Sequence, residues 1–170
     1  SIGSCTEKPT QLSVEVFETS VNGNKLKRIT EFSPGEKVTS IKILPEEKFQ
    51  TITGFGGAFT ESSAYLLNKV SAENRKKIID AYFSENGANY SLTRTHMNSC
   101  DFSVSNYSYT PVAGDKELEH FSIQEDKDDL IPFIKDALAA SKDGFKIFGS
   151  PWSAAPWMKD NNSWVGGKLL

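Results

Sequence analysis

At Phe49 the hydrophobic rhythm of this sequence changes, and no other feature narrows the possible folds as far. Beyond it, short apolar stretches alternate with longer segments of helical period, the pattern of parallel strands joined by crossover helices. Gln50 to Phe55 is expected as a first strand, followed by a helix led by Thr60 and reaching about Lys69. Ala72 to Ser84 is expected as a second helix with Ile78, Ile79, Tyr82 and Phe83 on one face, stopped by Gly87. Ser91 to Met97 follows as a second strand. A helix starting at Asp128 or Asp129 sets Leu130, Ile134 and Leu138 in register, tolerates Pro132 in its first turn and ends near Gly144. Phe145 to Phe148 makes the third strand, so the reading is an α/β fold.

Before Phe49 the period is two. Leu12, Val14 and Val16 point one way, and Ile29, Val38, Ile41 and Ile43 continue the alternation around turn signals at Asn22-Gly23-Asn24 and Ser33-Pro34-Gly35. Antiparallel strands are expected over 12–48. Residues 1–11 read as a polar tail, in which Ile2-Gly3-Ser4-Cys5 has the small-residue look of a bacterial lipoprotein cleavage box. A lipid on Cys5 would anchor the chain to a membrane surface; the plainer alternative is a tail that happens to carry a cysteine. The organisation read is therefore 1–11 tail or tether, 12–48 strands and 49–170 β-α units.

Charge and composition exclude several classes. The net charge is −3, and no basic run is denser than Lys25, Lys27 and Arg28 or Arg75 to Lys77, so nucleic acid is not expected as a partner. The longest apolar runs, such as Leu130 to Ile134, fall far short of the roughly 20 residues that cross a bilayer. Cys5 and Cys100 form no zinc pair, and His96 and His120 have no second ligand at metal spacing. No metal and no cofactor is expected.

Chemistry concentrates where strands end. "GFGGAF" lacks the third glycine of a dinucleotide fingerprint and the Lys-Ser/Thr of a phosphate loop; Gly54, Gly56 and Gly57 suit a sharp turn and the close approach of another segment. Asp101 lies just past the second strand and Trp152 just past the third, so in a β/α barrel both would stand on the ligand-facing rim. A carboxylate accepts hydrogen bonds from two adjacent sugar hydroxyls, and an indole offers an apolar face to ring C–H groups. The pair describes a sugar subsite, against the plainer readings of a loop cap and a hydrophobic floor. Arg94, a charge within a strand, requires a partner, most plausibly a carboxylate of the site. His96 is read as bonding a backbone carbonyl and Cys100 as a small filler. Trp157 suits the floor, and Trp164 is either a second aromatic platform or core. The loop from Asp101 to about Lys127 is long enough to suggest binding.

"GFGGAFTESSA", "YFSENGANYSLTRTHMNSCDFS", "IPFIKDALA" and "SPWSAAPWMK" together resemble successive landmarks of glycoside hydrolase family 30, in the right order from about Phe49 onward. The resemblance implies a (β/α)8 TIM barrel, of which about three β-α units lie here, preceded by strands of a side β-sandwich. It implies a retaining β-glycosidase of glucosylceramidase type acting on β-glucosides, glycolipids or β-glucans. By similarity, Asp101 matches the family's glycone-binding aspartate, Trp152 the neighbouring tryptophan and Arg94 an arginine supporting the catalytic carboxylates, while Phe102 would line the entrance.

The chain departs from the family pattern in one respect. The family's acid/base glutamate sits in an Asn-Glu pair after strand four and its nucleophile after strand seven; this stretch contains no Asn-Glu dipeptide. No catalytic residue is therefore assigned, and Glu61 and Glu85 are read as lying away from the rim. The remainder of the same enzyme is expected to complete the barrel. The alternatives are an endo-β-1,6-glucanase of the same family and a non-catalytic carbohydrate-binding protein. The expected location is secreted or at the cell surface, as a periplasmic or outer-membrane lipoprotein if bacterial.

Overall fold

The computed structural model describes residues 13–32, 35 and 37–170; the expectations for Cys5, Leu12 and Ser33-Pro34 lie outside them. The chain divides into two compact units, Ser1–Phe49 and Gln50–Leu170.

In the first unit, β1 (Val16–Glu18) and β2 (Lys27–Ile29) pair antiparallel, with Val16 opposite Ile29 and Glu18 opposite Lys27. The turn between them falls at Asn22-Gly23-Asn24 as expected, closed by Ser20 N–H donating to the Asn24 carbonyl at 2.9 Å. Among the described residues of this unit no strand follows Ile29, contrary to the longer expectation. Val38, Ile41 and Ile43 lie outside any strand and stay exposed, because alternation alone supplies no partner to satisfy a ladder.

The second unit is built on a three-stranded parallel sheet of β3 (Ala58–Phe59), β4 (Leu92–Met97) and β5 (Lys146–Pro151), in that order. Three helices connect them: α1 (Glu61–Leu67), α2 (Ala72–Phe83) and α3 (Leu130–Ala140). Thr60 and Ser71 cap α1 and α2 by accepting from Ser63 N–H and Asn74 N–H, each replacing a partner that the first turn lacks.

The first strand falls later than expected. Gln50 to Gly57 form no regular strand, although Ser91 and Leu92 N–H donate to the Phe55 carbonyl at 2.9 and 3.2 Å, and Arg94 N–H to the Gly57 carbonyl at 3.3 Å. The glycines explain this close passage. A Cβ on Gly56 would stand 1.6 Å from the Leu92 carbonyl oxygen, and one on Gly54 2.4 Å from Ser91 Oγ. Neither is a positive-φ residue, so the motif serves backbone contact rather than a sharp turn.

Between sheet and helices lies an aromatic core. Phe59 is 2% exposed and stacks on Phe83 at 5.4 Å, with Phe133 edge-on at 4.9 Å; each such pair adds about 0.5–1.5 kcal/mol beyond area burial. Helix α3 contributes Leu130, Phe133 and Ala137, so that beyond Leu130 the buried stripe lies one residue out of phase with the expected face. Ile134 is only partly buried and Leu138 is 45% exposed. In α2 the buried residues are Ile79 and Phe83, with Ile78 and Tyr82 on the flank.

Candidate sugar-binding rim

Register decides which side chains can reach a ligand. Ala58, Arg94 and Phe148 are aligned across the sheet, as are Phe59, Thr95 and Gly149. Successive side chains alternate between faces. Because Phe59 is in the core with the helices, Arg94 and Phe148 stand on the opposite face. There the Arg94 guanidinium carbon lies 4.7 Å from the centroid of the Trp152 ring, a cation–π contact that contributes about 0.5–2 kcal/mol. Among the described residues, none of the ion pairs includes Arg94; the contact they give its guanidinium is this indole.

Trp152 follows directly on β5, and its N–H donates to the Met97 carbonyl at the end of β4 at 3.2 Å. Trp152 is 42% exposed. Past the end of β4, Cys100 to Ser103 form a β-turn closed by Ser103 N–H to the Cys100 carbonyl at 3.0 Å and by Cys100 N–H to Ser103 Oγ at 2.9 Å. Asp101 and Phe102 occupy its two central positions, where side chains project from the turn. Both are exposed, and the Asp101 carboxylate takes no part in the hydrogen bonds or ion pairs among the described residues. Asp101 and Trp152 therefore rise beyond the carboxyl ends of adjacent, paired strands. Cys100 is half-buried rather than a core filler, and its Sγ accepts from Phe102 N–H at 3.3 Å.

Three residues that hold this rim were given no such role from the sequence. Glu61, expected away from the rim, belongs to it: α1 starts at the end of β3, and the buried Glu61 carboxylate accepts from Val104 N–H at 2.8 Å. Ser62 N–H donates to the Phe102 carbonyl at 3.0 Å, so α1 holds the Asp101 turn at Phe102 and just beyond it. Glu85 lies elsewhere, paired with Lys142 at 2.6 Å. His96 is buried, accepting from Glu61 N–H at Nε2 (3.3 Å), which leaves Nδ1 as the donor to the Asn98 carbonyl at 2.7 Å. The backbone role read for His96 is what the structure contains.

Asn98 is the second such residue. It adopts φ +61°, a left-handed conformation that asparagine tolerates better than most. Its Nδ2 donates to the Ser153 carbonyl at 2.7 Å while its Oδ1 accepts from Tyr109 N–H at 2.9 Å, tying the segment with Asp101 to the one with Trp152. Asn98→Ala should cost about 2 kcal/mol of stability through two lost hydrogen bonds. Denaturant unfolding checks this; a midpoint equal to wild type would remove Asn98 from the frame.

Asp126 is the third. It is buried in the 3-10 turn Gln124–Lys127 and accepts the hydroxyls of Tyr107, at 2.8 Å, and Tyr109. The long loop is thereby folded back and pinned. Burial first, then the hydrogen bond and negative charge of Asp126, push both phenols well above their ordinary value of 10.0. Above that pH the unfolded chain releases protons that the native state retains, so stability falls as pH rises further. Phenolate absorbance from Tyr107 and Tyr109 should emerge only with alkaline unfolding. A Tyr107→Phe, Tyr109→Phe protein should lack that step, and an unchanged titration would refute the assignment.

Trp157 is half-buried with its Nε1–H donating to the Thr110 carbonyl at 2.8 Å, as suits a floor. Trp164 sits in the segment after it, also half-buried.

Comparison with known proteins points one way. The family model described as "Glycosyl hydrolase family 30 TIM-barrel domain" matches residues 52–170. The chain is 40% identical over 129 residues to the lysosomal acid glucosylceramidase of Mus musculus, covering 75% of this chain and 25% of the relative. Among solved structures it is similar to SrfJ from Salmonella typhimurium, with a TM-score of 0.67 and 39% identity over 71% of this chain and 27% of that one. It is also similar to the endo-beta1,6-glucanase BT3312, with a TM-score of 0.65 and 33% identity over 74% of this chain and 29% of the other. The chain spans about a quarter to a third of the length of the curated relatives it matches.

Proposed function

The chain belongs to glycosyl hydrolase family 30, and from that membership we propose that it forms the sugar-binding side of a retaining β-glycosidase acting on β-glucosides. The parallel strands β3, β4 and β5 are then the first staves of a (β/α)8 barrel, and residues 12–48 contribute to a side β-sandwich. Asp101 accepts hydroxyls of the non-reducing glucose, Trp152 packs on its ring, Arg94 supports the site from beneath Trp152, and Phe102 lines the entrance. Retention requires two carboxyls about 5–5.5 Å apart; these are assigned to residues outside the 170 considered, and Glu61 holds a loop instead. No cofactor is required, since oxocarbenium chemistry with two carboxylates needs none.

One observation carries the reading: an uncommitted, exposed carboxylate and an Arg94-backed indole emerge from neighbouring strand ends. Similarity to a glucosylceramidase favours a β-glucoside with a lipid aglycone. The likeness to an endo-beta1,6-glucanase favours a second reading, in which the same rim opens onto a polymer. Hydrolysis of chromogenic β-glycosides, glucosylceramide and β-1,6-glucan by the intact protein separates the two. Release of β-glucose from the glycolipid supports the first and oligosaccharides from the glucan the second. Binding of sugar with silence on every β-glucoside would replace both with a non-catalytic carbohydrate-binding protein.

A further inference from the structure

A second cleft, of about 470 Å³, opens between the loop that follows Asp101 and the segment that follows Trp152. Its walls include Trp157, Trp164, Asn106, Gln124, Glu125 and Asn162, and do not include Arg94, Asp101 or Trp152. We propose that this cleft is an accessory carbohydrate site, taking a pyranose ring of a gluco-oligosaccharide against the Trp164 indole.

The volume lies within the range of about 300–1,000 Å³ typical of small-molecule sites. The lining has the two elements that sugar recognition needs. Trp157 and Trp164 offer flat apolar faces for ring C–H groups. Asn106, Gln124 and Asn162 each carry an amide donor and acceptor, and Glu125 adds an acceptor for paired hydroxyls. Those four side chains are exposed, and none of their polar atoms enters a hydrogen bond among the described residues. The Trp164 N–H is likewise uncommitted there, unlike that of Trp157, which is fixed to the Thr110 carbonyl at 2.8 Å.

The platform is also held in advance. Trp164 lies in a loop whose base is closed by the Lys159–Leu169 bridge and by Asp160 N–H to the Lys168 carbonyl at 3.0 Å. Asn161 Nδ2 donates to the Val165 carbonyl at 2.9 Å and its Oδ1 accepts from Ser163 N–H at 3.1 Å, so Trp164 is flanked on both sides by bonds to one side chain. On the facing wall, Asp126 pins the 3-10 turn that carries Gln124 and Glu125 through Tyr107 and Tyr109. Two braced walls leave little ordering cost to binding.

The test uses the intact protein carrying Asp101→Ala, so that binding at the rim is weakened and turnover slowed, and binding heats are read before residual hydrolysis consumes the sugar. Gentiotetraose and cellotetraose are titrated by calorimetry. Saturable binding of at least one is expected, and adding Trp164→Ala should weaken it about tenfold or more, as for a central aromatic anchor, while Trp164→Phe retains most of it. Absence of saturable binding to both sugars, or an affinity indifferent to Trp164→Ala, overturns the proposal. Should Trp164→Ala fail to fold, Asn106→Ala with Asn162→Ala is read in its place, and unchanged affinity there overturns the proposal equally. Because only binding is measured, failure of the glycosidase reading would appear separately, as absent hydrolysis by the wild-type protein.

Discussion

Gly56→Ala is expected to cost the protein about 3 kcal/mol of stability or more, toward the extreme of what single substitutions do. The added methyl would stand 1.6 Å from the Leu92 carbonyl oxygen and 2.7 Å from its carbonyl carbon. Both are backbone atoms at the start of β4, so no side chain can rotate away. Relief requires moving the 54–57 segment off β4, which sacrifices the bonds from Ser91, Leu92 and Arg94 N–H to the Phe55 and Gly57 carbonyls. Phe59, two residues beyond Gly57, would leave its place between Phe83 and Phe133. Overpacking in a core usually costs about 1–3 kcal/mol because neighbours repack; here the neighbour is main chain. Thermal or denaturant unfolding of the variant reads the effect directly. Gly57→Ala is the control, since its nearest contact, Tyr90 Cε2, would be 3.4 Å away and can yield. Equal stabilities for the two alanine variants would show that the close passage of 54–57 along β4 is wrong.

Asp101→Ala should have the opposite signature, with activity lost and stability kept. On the proposed glycosidase reading, losing a charge-assisted hydrogen bond to substrate should cost the intact protein about 1.5–3 kcal/mol of transition-state binding, or roughly ten- to over a hundredfold in kcat/KM. The side chain is exposed at a turn centre and bonds to nothing among the described residues, so the melting temperature should remain that of the wild type. Trp152→Ala should also lower kcat/KM, with some loss of stability because the ring covers Arg94. Unchanged turnover of the best β-glucoside in the Asp101 variant would remove that residue from the site, whatever becomes of Trp152.

Much of the helical layer was legible in the sequence, because caps and apolar periodicity are local. Thr60 leads α1 and α2 starts at Ala72, where the pattern places them, and the order strand, two helices, strand, helix, strand follows from the alternation after Phe49. Phase was less legible. Leu130, Ile134 and Leu138 fit a helical stripe as well as Leu130, Phe133 and Ala137 do, and only the position of Phe59 and Phe83 selects the latter. That Asp101 and Trp152 stand past successive strands could be read from spacing, but β5 runs to Pro151, three residues beyond the expected Phe148, and the support beneath the pair was not legible. Glu61 lies 43 residues from the backbone N–H it accepts, and Asn98 55 residues from Ser153; no local pattern records contacts of that separation.

What the sequence determined alone was the sequence of local choices: where helices are capped, where apolar runs end, and which polar and aromatic residues stand just past each strand. Those follow from interactions within a few residues. The tertiary structure decided which of these meet: that Arg94 rests on the Trp152 indole, that Glu61 grips the Asp101 turn, and that Trp164 faces a cleft. Such pairings depend on sheet register and loop return, which are set by packing the whole core at once.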